Sequence, residues 1–94
     1  MTSVLVIHRV EDYDKWRKVF DEDSAVRKVK GSKGATIFHN SNDSKQIVVI
    51  TEWENLDKAI NFAESEDLKI TMQNAGVTSK PEIFYLEKLD KVQF

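Results

Sequence analysis

This chain of 94 residues has two histidines, His8 and His39, the side-chain type best suited to proton transfer near neutrality. His8 sits inside VLVIHRV, a run of strand character among valines. In a pocket its imidazole would serve as a general base or a hydrogen-bond donor. The other reading is a core histidine paired with a neighbouring side chain or backbone group, as buried polar groups usually are. His39 lies in GATIFHN, expected to be an edge strand, and so at the surface or a rim. The two histidines belong to strands that are not neighbours, and no third ligand stands at ligand spacing from either, so no metal site is expected. There is no cysteine, which removes disulfides, thiolate catalysis and Cys-ligated metals. The glycines, Gly31, Gly34 and Gly76, are too few and too scattered for a phosphate-cradling loop. The serines fall in caps and loops, and no nucleophile–base–orienter set can be assembled from them.

The elements that must position His8 are read from periodicity. Gln46 to Glu54, QIVVITEWE, carries Ile47, Val49, Thr51 and Trp53 on one face and Val48, Ile50 and Glu52 on the other. A strand apolar on both sides has to be covered on both sides. Val4 to Val10 has the same character and is placed beside it in the middle of the sheet. Gly34 to Asn40 and a last strand beginning at Pro81 complete the set. Ser41 to Lys45 links the second and third strands as a hairpin. A helix is expected from its Asp12 N-cap to Gly31, with Tyr13, Trp16 and Phe20 as its apolar stripe, widened by Val19 and Val26. Within it the polar stretch Asp21 to Ser24 is expected to face water, and Arg27, Lys28 and Lys30 sit near the negative end of the dipole. Asn55 caps a second helix with the stripe Leu56, Ala59, Ile60 and Ala63, and Ser65 breaks it into a third, which ends at Gly76. The order is β-α-β-β-α-β with the second α split, a ferredoxin-like α+β arrangement on a four-stranded antiparallel sheet. The helices would cover one face. The other would stay apolar and bare unless a symmetric partner covers it, so a homodimer through the sheet faces is expected.

The bulk properties agree with a single domain over residues 1–94. Hydrophobic residues make up 40% and charged residues 32%, which excludes wholesale disorder. The net charge of −2, with the basic residues dispersed, argues against a nucleic-acid partner. No apolar run approaches the ~20 residues of a membrane helix, and no leader pattern opens the chain, so the expected compartment is the cytoplasm.

Several segments together resemble the antibiotic-biosynthesis-monooxygenase-like family of the dimeric α+β barrel superfamily. They are Val10-Glu11-Asp12-Tyr13-Asp14-Lys15-Trp16 after the first strand and Glu52-Trp53-Glu54-Asn55 after the third. Ala59-Ile60-Asn61-Phe62-Ala63-Glu64-Ser65 follows in the next helix, and Leu68 to Val77 closes on Ala75-Gly76-Val77. The resemblance implies a homodimer whose sheets form a barrel, with a pocket between sheet and helices in each protomer. Its members include cofactor-free oxygenases acting on aromatic polyketides or quinols, haem-degrading oxygenases and small-molecule isomerases. Several oxygenase members carry a His about three residues before a Ser in the helix after the third strand. Counted back from Ser65, this chain has Phe62 there, and no His follows His39. A haem-degrading activity loses its axial ligand on that mapping.

The expected function is binding of a small apolar or aromatic molecule, with cofactor-independent monooxygenation or isomerisation as the chemistry and no metal or flavin. His8 is the candidate catalytic residue. Trp16, Trp53, Phe62, Met72 and Tyr85 are the candidate pocket-lining residues. Trp16 is also explained by its helical stripe alone, and Trp53 as a core or interface residue. The second reading is a dimeric binding or structural module without catalysis. The discriminator is whether the space between sheet and helices is open and contains His8, or is filled by Trp16, Phe62 and Met72.

Overall fold

The computed structural model describes residues 1–94. The elements are β1 (Thr2–Arg9), α1 (Tyr13–Glu22), α2 (Ser24–Val29), β2 (Ser32–Asn40), β3 (Asp43–Trp53), α3 (Leu56–Ala63), α4 (Glu66–Asn74) and β4 (Glu82–Glu87). The strands form one antiparallel sheet in the order β2-β3-β1-β4. This is the ferredoxin-like arrangement, with β1 and β3 central as their doubly apolar sequences demand. No helix is long and apolar enough to cross a membrane.

The helix ends follow local chemistry. The Asp12 carboxylate accepts from the Asp14 N–H, Asn55 from Lys58 and Ser65 from Leu68, so each cap satisfies a donor that the helix leaves unpaired. α4 closes with the Val77 N–H on the Met72 carbonyl at 3.1 Å and the Gly76 N–H on the Gln73 carbonyl at 3.2 Å. That pattern requires Gly76 in the left-handed region, where its φ is 82°. The turn is then tied to the end of β1, because the Glu11 N–H donates to the Gly76 carbonyl and the Thr78 N–H to the Arg9 carbonyl.

Two boundaries differ from the sequence expectation. The hairpin between β2 and β3 is tighter than Ser41–Lys45, since β3 already begins at Asp43. The first helix does not run through to Gly31. It breaks at Asp23, which ends α1 and opens α2 with φ −86° and ψ 0°. No Gly or Pro causes the break. Its consequence is rotational: Val26, expected to widen the apolar stripe, is 43% exposed, while Arg27 is only 7% exposed.

Alternation along the strands sorts the sheet into two faces. Val4, Val6 and His8 of β1 stand opposite Thr51, Val49 and Ile47 of β3, and all face the helices. The core there is in two parts. Val4 and Trp53 pack under Ala59, Phe62 and Ala63 of α3. Val10, Ile47 and Val49 pack with Trp16 of α1 and Ala75 after α4. On the other face, Leu5, Ile7, Val48 and Ile50 are half-buried, and Phe84 and Leu86 are exposed.

Candidate functional site

The gap between the two halves of the core is a cavity of about 60 Å³. Phe62 and Ala63 wall it from one half, and Trp16, Val49 and Ala75 from the other. On a scale where a single water needs about 10–15 Å³, it has room for about four to six waters, or for a comparable volume of ligand. The lining is mostly apolar. Its polar members are His8, Thr51, Thr71, Asp23 and Arg27.

His8 points from mid-β1 into this space and is 3% exposed. Its ring meets Trp16 edge-on, with centroids 5.7 Å apart and planes at 81°. Nδ1 is buried and has no hydrogen-bond partner within the chain. No neighbouring side chain satisfies that nitrogen, and the one backbone group that acts on the imidazole is that of His8 itself. A buried polar atom left unpaired costs about 1–3 kcal/mol, a cost that packing alone does not explain. Desolvation also holds the imidazole below its ordinary pKa of 6.5, so at neutral pH it is uncharged and able to accept a proton.

A stability signature follows. Above pH about 6.5 His8 is neutral in both folded and unfolded chains and contributes nothing to the pH dependence. Below it the unfolded chain takes up a proton that the folded one resists, so unfolding free energy falls until the lowered folded pKa is reached, then levels off. Urea midpoints from pH 7.5 to 5 are expected to drop more for the wild type than for His8→Leu, the difference isolating this one group.

Four of the six sequence candidates meet at the cavity: His8, Trp16, Phe62 and Met72. Trp53 does not line it. It is fully buried behind Phe62, with ring centroids 4.7 Å apart, and its Nε1 donates to the Thr51 hydroxyl at 2.7 Å. Trp53 therefore supports the wall. Tyr85 lies on the helix-covered face of β4, opposite Val4, but it is 36% exposed at the sheet edge and outside the cavity lining. His39 is exposed on β2, two strands from His8 across Ile47.

Arg27 went unread in the sequence as a site residue. It lines the cavity with its guanidinium carbon 3.7 Å above the centre of the Phe20 ring. Phe20 in turn stacks on Trp16 at 5.0 Å. His8, Trp16, Phe20 and Arg27 thus form a continuous shelf along one side of the space. The only sequence signal was spacing: Arg27 lies seven residues after Phe20 and four after Asp23, and periodicity alone does not separate this from a solvated helix end.

No family model matches the chain, and no curated protein matches it. Solved structures do. A candidate antibiotic biosynthesis monooxygenase from Bordetella bronchiseptica superposes with a TM-score of 0.76 at 12% identity, over 94% of this chain and 96% of that one. A variant of SnoaB, a cofactor-independent oxygenase from Streptomyces nogalater, gives 0.75 at 14% identity over 97% and 95%. A candidate antibiotic biosynthesis monooxygenase from Caulobacter crescentus gives 0.73 at 16% identity over 95% and 90%. At such identities the likeness is one of fold, and it spans nearly the whole of each chain: this protein has the fold of the antibiotic-biosynthesis-monooxygenase-like proteins.

Proposed function

We propose that the protein binds a small aromatic or enolic molecule between sheet and helices and oxidises it with dioxygen, using no metal or flavin. The observation that carries this reading is the neutral, unpartnered His8 facing an apolar cavity. A phenolic hydroxyl placed against His8 would give up its proton to the imidazole. The resulting anion is electron-rich at carbon and reacts with dioxygen directly. Loss of water from the peroxide so formed leaves a quinone, so that phenol and dioxygen become quinone and water. The chain's own contributions are a base of suitable protonation state, an apolar enclosure that excludes water, and aromatic walls that hold a ring. The same proton transfer without oxygen would isomerise an enol, and this is the other chemistry the site supports. A core filled by Trp16, Phe62 and Met72 would have favoured the non-catalytic module. That those three side chains line a space shared with His8 supports the catalytic reading.

The working unit in this proposal is a homodimer. Leu5, Ile7, Val48 and Ile50 form an apolar strip on the sheet face that no helix covers, flanked by Phe84 and Leu86. A second copy packed sheet to sheet would bury it. Cytoplasmic action belongs to the same proposal.

Native mass spectrometry of freshly purified protein is expected to show a dimer that carries, or takes up, a small aromatic molecule. Ile50→Lys, which places a charge on the open face away from the cavity, is expected to shift the mass to the monomer. A wild type that is monomeric at micromolar concentration would contradict the assembly. A dimer that takes up no phenolic compound would contradict the binding function.

A further inference from the structure

The shelf that begins at His8 ends in a charge, and that charge has too little around it. Arg27 is only 7% exposed as a residue, its nitrogens keeping no more than a narrow contact with water, and its guanidinium has no close acid beside it. Its nearest acid is Asp23, with Nη1 and Oδ2 3.9 Å apart, beyond hydrogen-bonding distance. Its other contact is the face of Phe20. Burying a charge costs much unless it is paired and hydrogen-bonded. Arg27 turns inward and lines the same cavity as His8, with Thr71 and Asp23 as further polar groups of that lining.

We propose that the cavity is specific for a small aromatic or enolic acid, its carboxylate held by Arg27, its ring on the Trp16–Phe20 shelf and its hydroxyl facing His8. This rests on the binding reading above and adds the substrate class. The guanidinium fork matches a carboxylate in shape and charge, and inside an apolar enclosure such a pair is stronger than in water. A bound carboxylate would give Arg27 the close partner that Asp23, at 3.9 Å, does not provide. The free volume, about 60 Å³, is below the ~150 Å³ of a cavity that takes up benzene, so one ring needs the walls to give way and several fused rings would need far more. Arg27 lies on the helical side of the sheet, so a partner on the open face leaves the site unobstructed.

The test is equilibrium binding of 4-hydroxybenzoate and its uncharged analogue 4-hydroxybenzamide to the full chain, read by calorimetry and by the combined fluorescence of Trp16 and Trp53. The wild type is expected to prefer the acid by about tenfold or more, the range of a charge-assisted hydrogen bond. Arg27→Gln is expected to weaken acid binding far more than amide binding, so that the preference is lost, and Arg27→Lys to restore part of it. Equal binding of acid and amide by the wild type would overturn the inference and leave the cavity's binding function standing. Binding of neither would overturn both. Because the wild-type ratio needs no variant, a poorly folded Arg27→Gln does not block the test.

Discussion

Trp53→Ala is expected to leave the protein largely unfolded under ordinary conditions. Trp53 is completely buried, packs against Phe62, and anchors the half of the core that holds α3 on the sheet. Truncating a buried Trp costs about 3–5 kcal/mol, from lost burial and from the cavity left behind. A domain of this size has little more than that in total, since folded domains hold about 5–15 kcal/mol and small ones sit at the lower end. The indole N–H adds a further cost, because its loss leaves the buried Thr51 hydroxyl without its donor. Trp53→Phe keeps the ring against Phe62 and gives up only the hydrogen bond and part of the volume. It is expected to fold, with a stability loss of about 1–2 kcal/mol. Urea unfolding followed by circular dichroism measures both. A Trp53→Ala protein as stable as the wild type would mean that the α3 half of the core is not held as described.

The opposite pattern is expected at His8. His8→Leu replaces an imidazole of similar size whose Nδ1 is unsatisfied by an apolar side chain in an apolar setting. Removing an unpaired buried polar group while filling its space is neutral or favourable, and a gain of about 1 kcal/mol is expected at pH 7. Oxygen-dependent turnover of an aromatic hydroxy acid is expected to fall by about 10²–10⁴-fold, the usual contribution of a positioned general base. Stability rising while activity collapses is the mark of a residue kept for chemistry at the expense of packing. A stability loss of several kcal/mol on His8→Leu would instead make His8 a structural residue with a partner, and the functional assignment would fall with it.

How far the sequence reaches can be seen by comparing His8 with Arg27. Strand alternation is strict, so the residues sharing a face with His8 followed from counting by twos, as did the central places of β1 and β3. The caps at Asp12, Asn55 and Ser65 were legible because each is a local contact between a side chain and a backbone N–H two or three residues on. Arg27 was not legible. A basic residue in the last turn of a helix normally complements the dipole and faces water. Only the break at Asp23, which has no glycine or proline to announce it, turns Arg27 inward and Val26 outward. Depth was the other blind spot. Trp53 and Tyr85 do lie on the helix-covered face, but alternation gives no distance along the sheet normal or from the sheet edge. One proved to lie behind the wall and the other at the rim. The cavity itself arises because the stripes of α1, α3 and α4 do not meet over Val6 and His8, and that depends on helix placement more than on any single residue pattern.

The central claim is that His8 takes a proton from a bound phenol. An absorbance titration of 4-nitrophenol with the protein, buffered on the acid side of neutrality where the free compound is mostly the colourless phenol, tests it directly. Attraction within the imidazolium–phenolate pair offsets the desolvation that lowers the free imidazole, and the account predicts that the yellow phenolate band grows on binding to the wild type. It also predicts that His8→Gln binds the compound without that band. A band of equal strength in both proteins, or bound phenol that stays protonated in the wild type, would contradict a base at position 8.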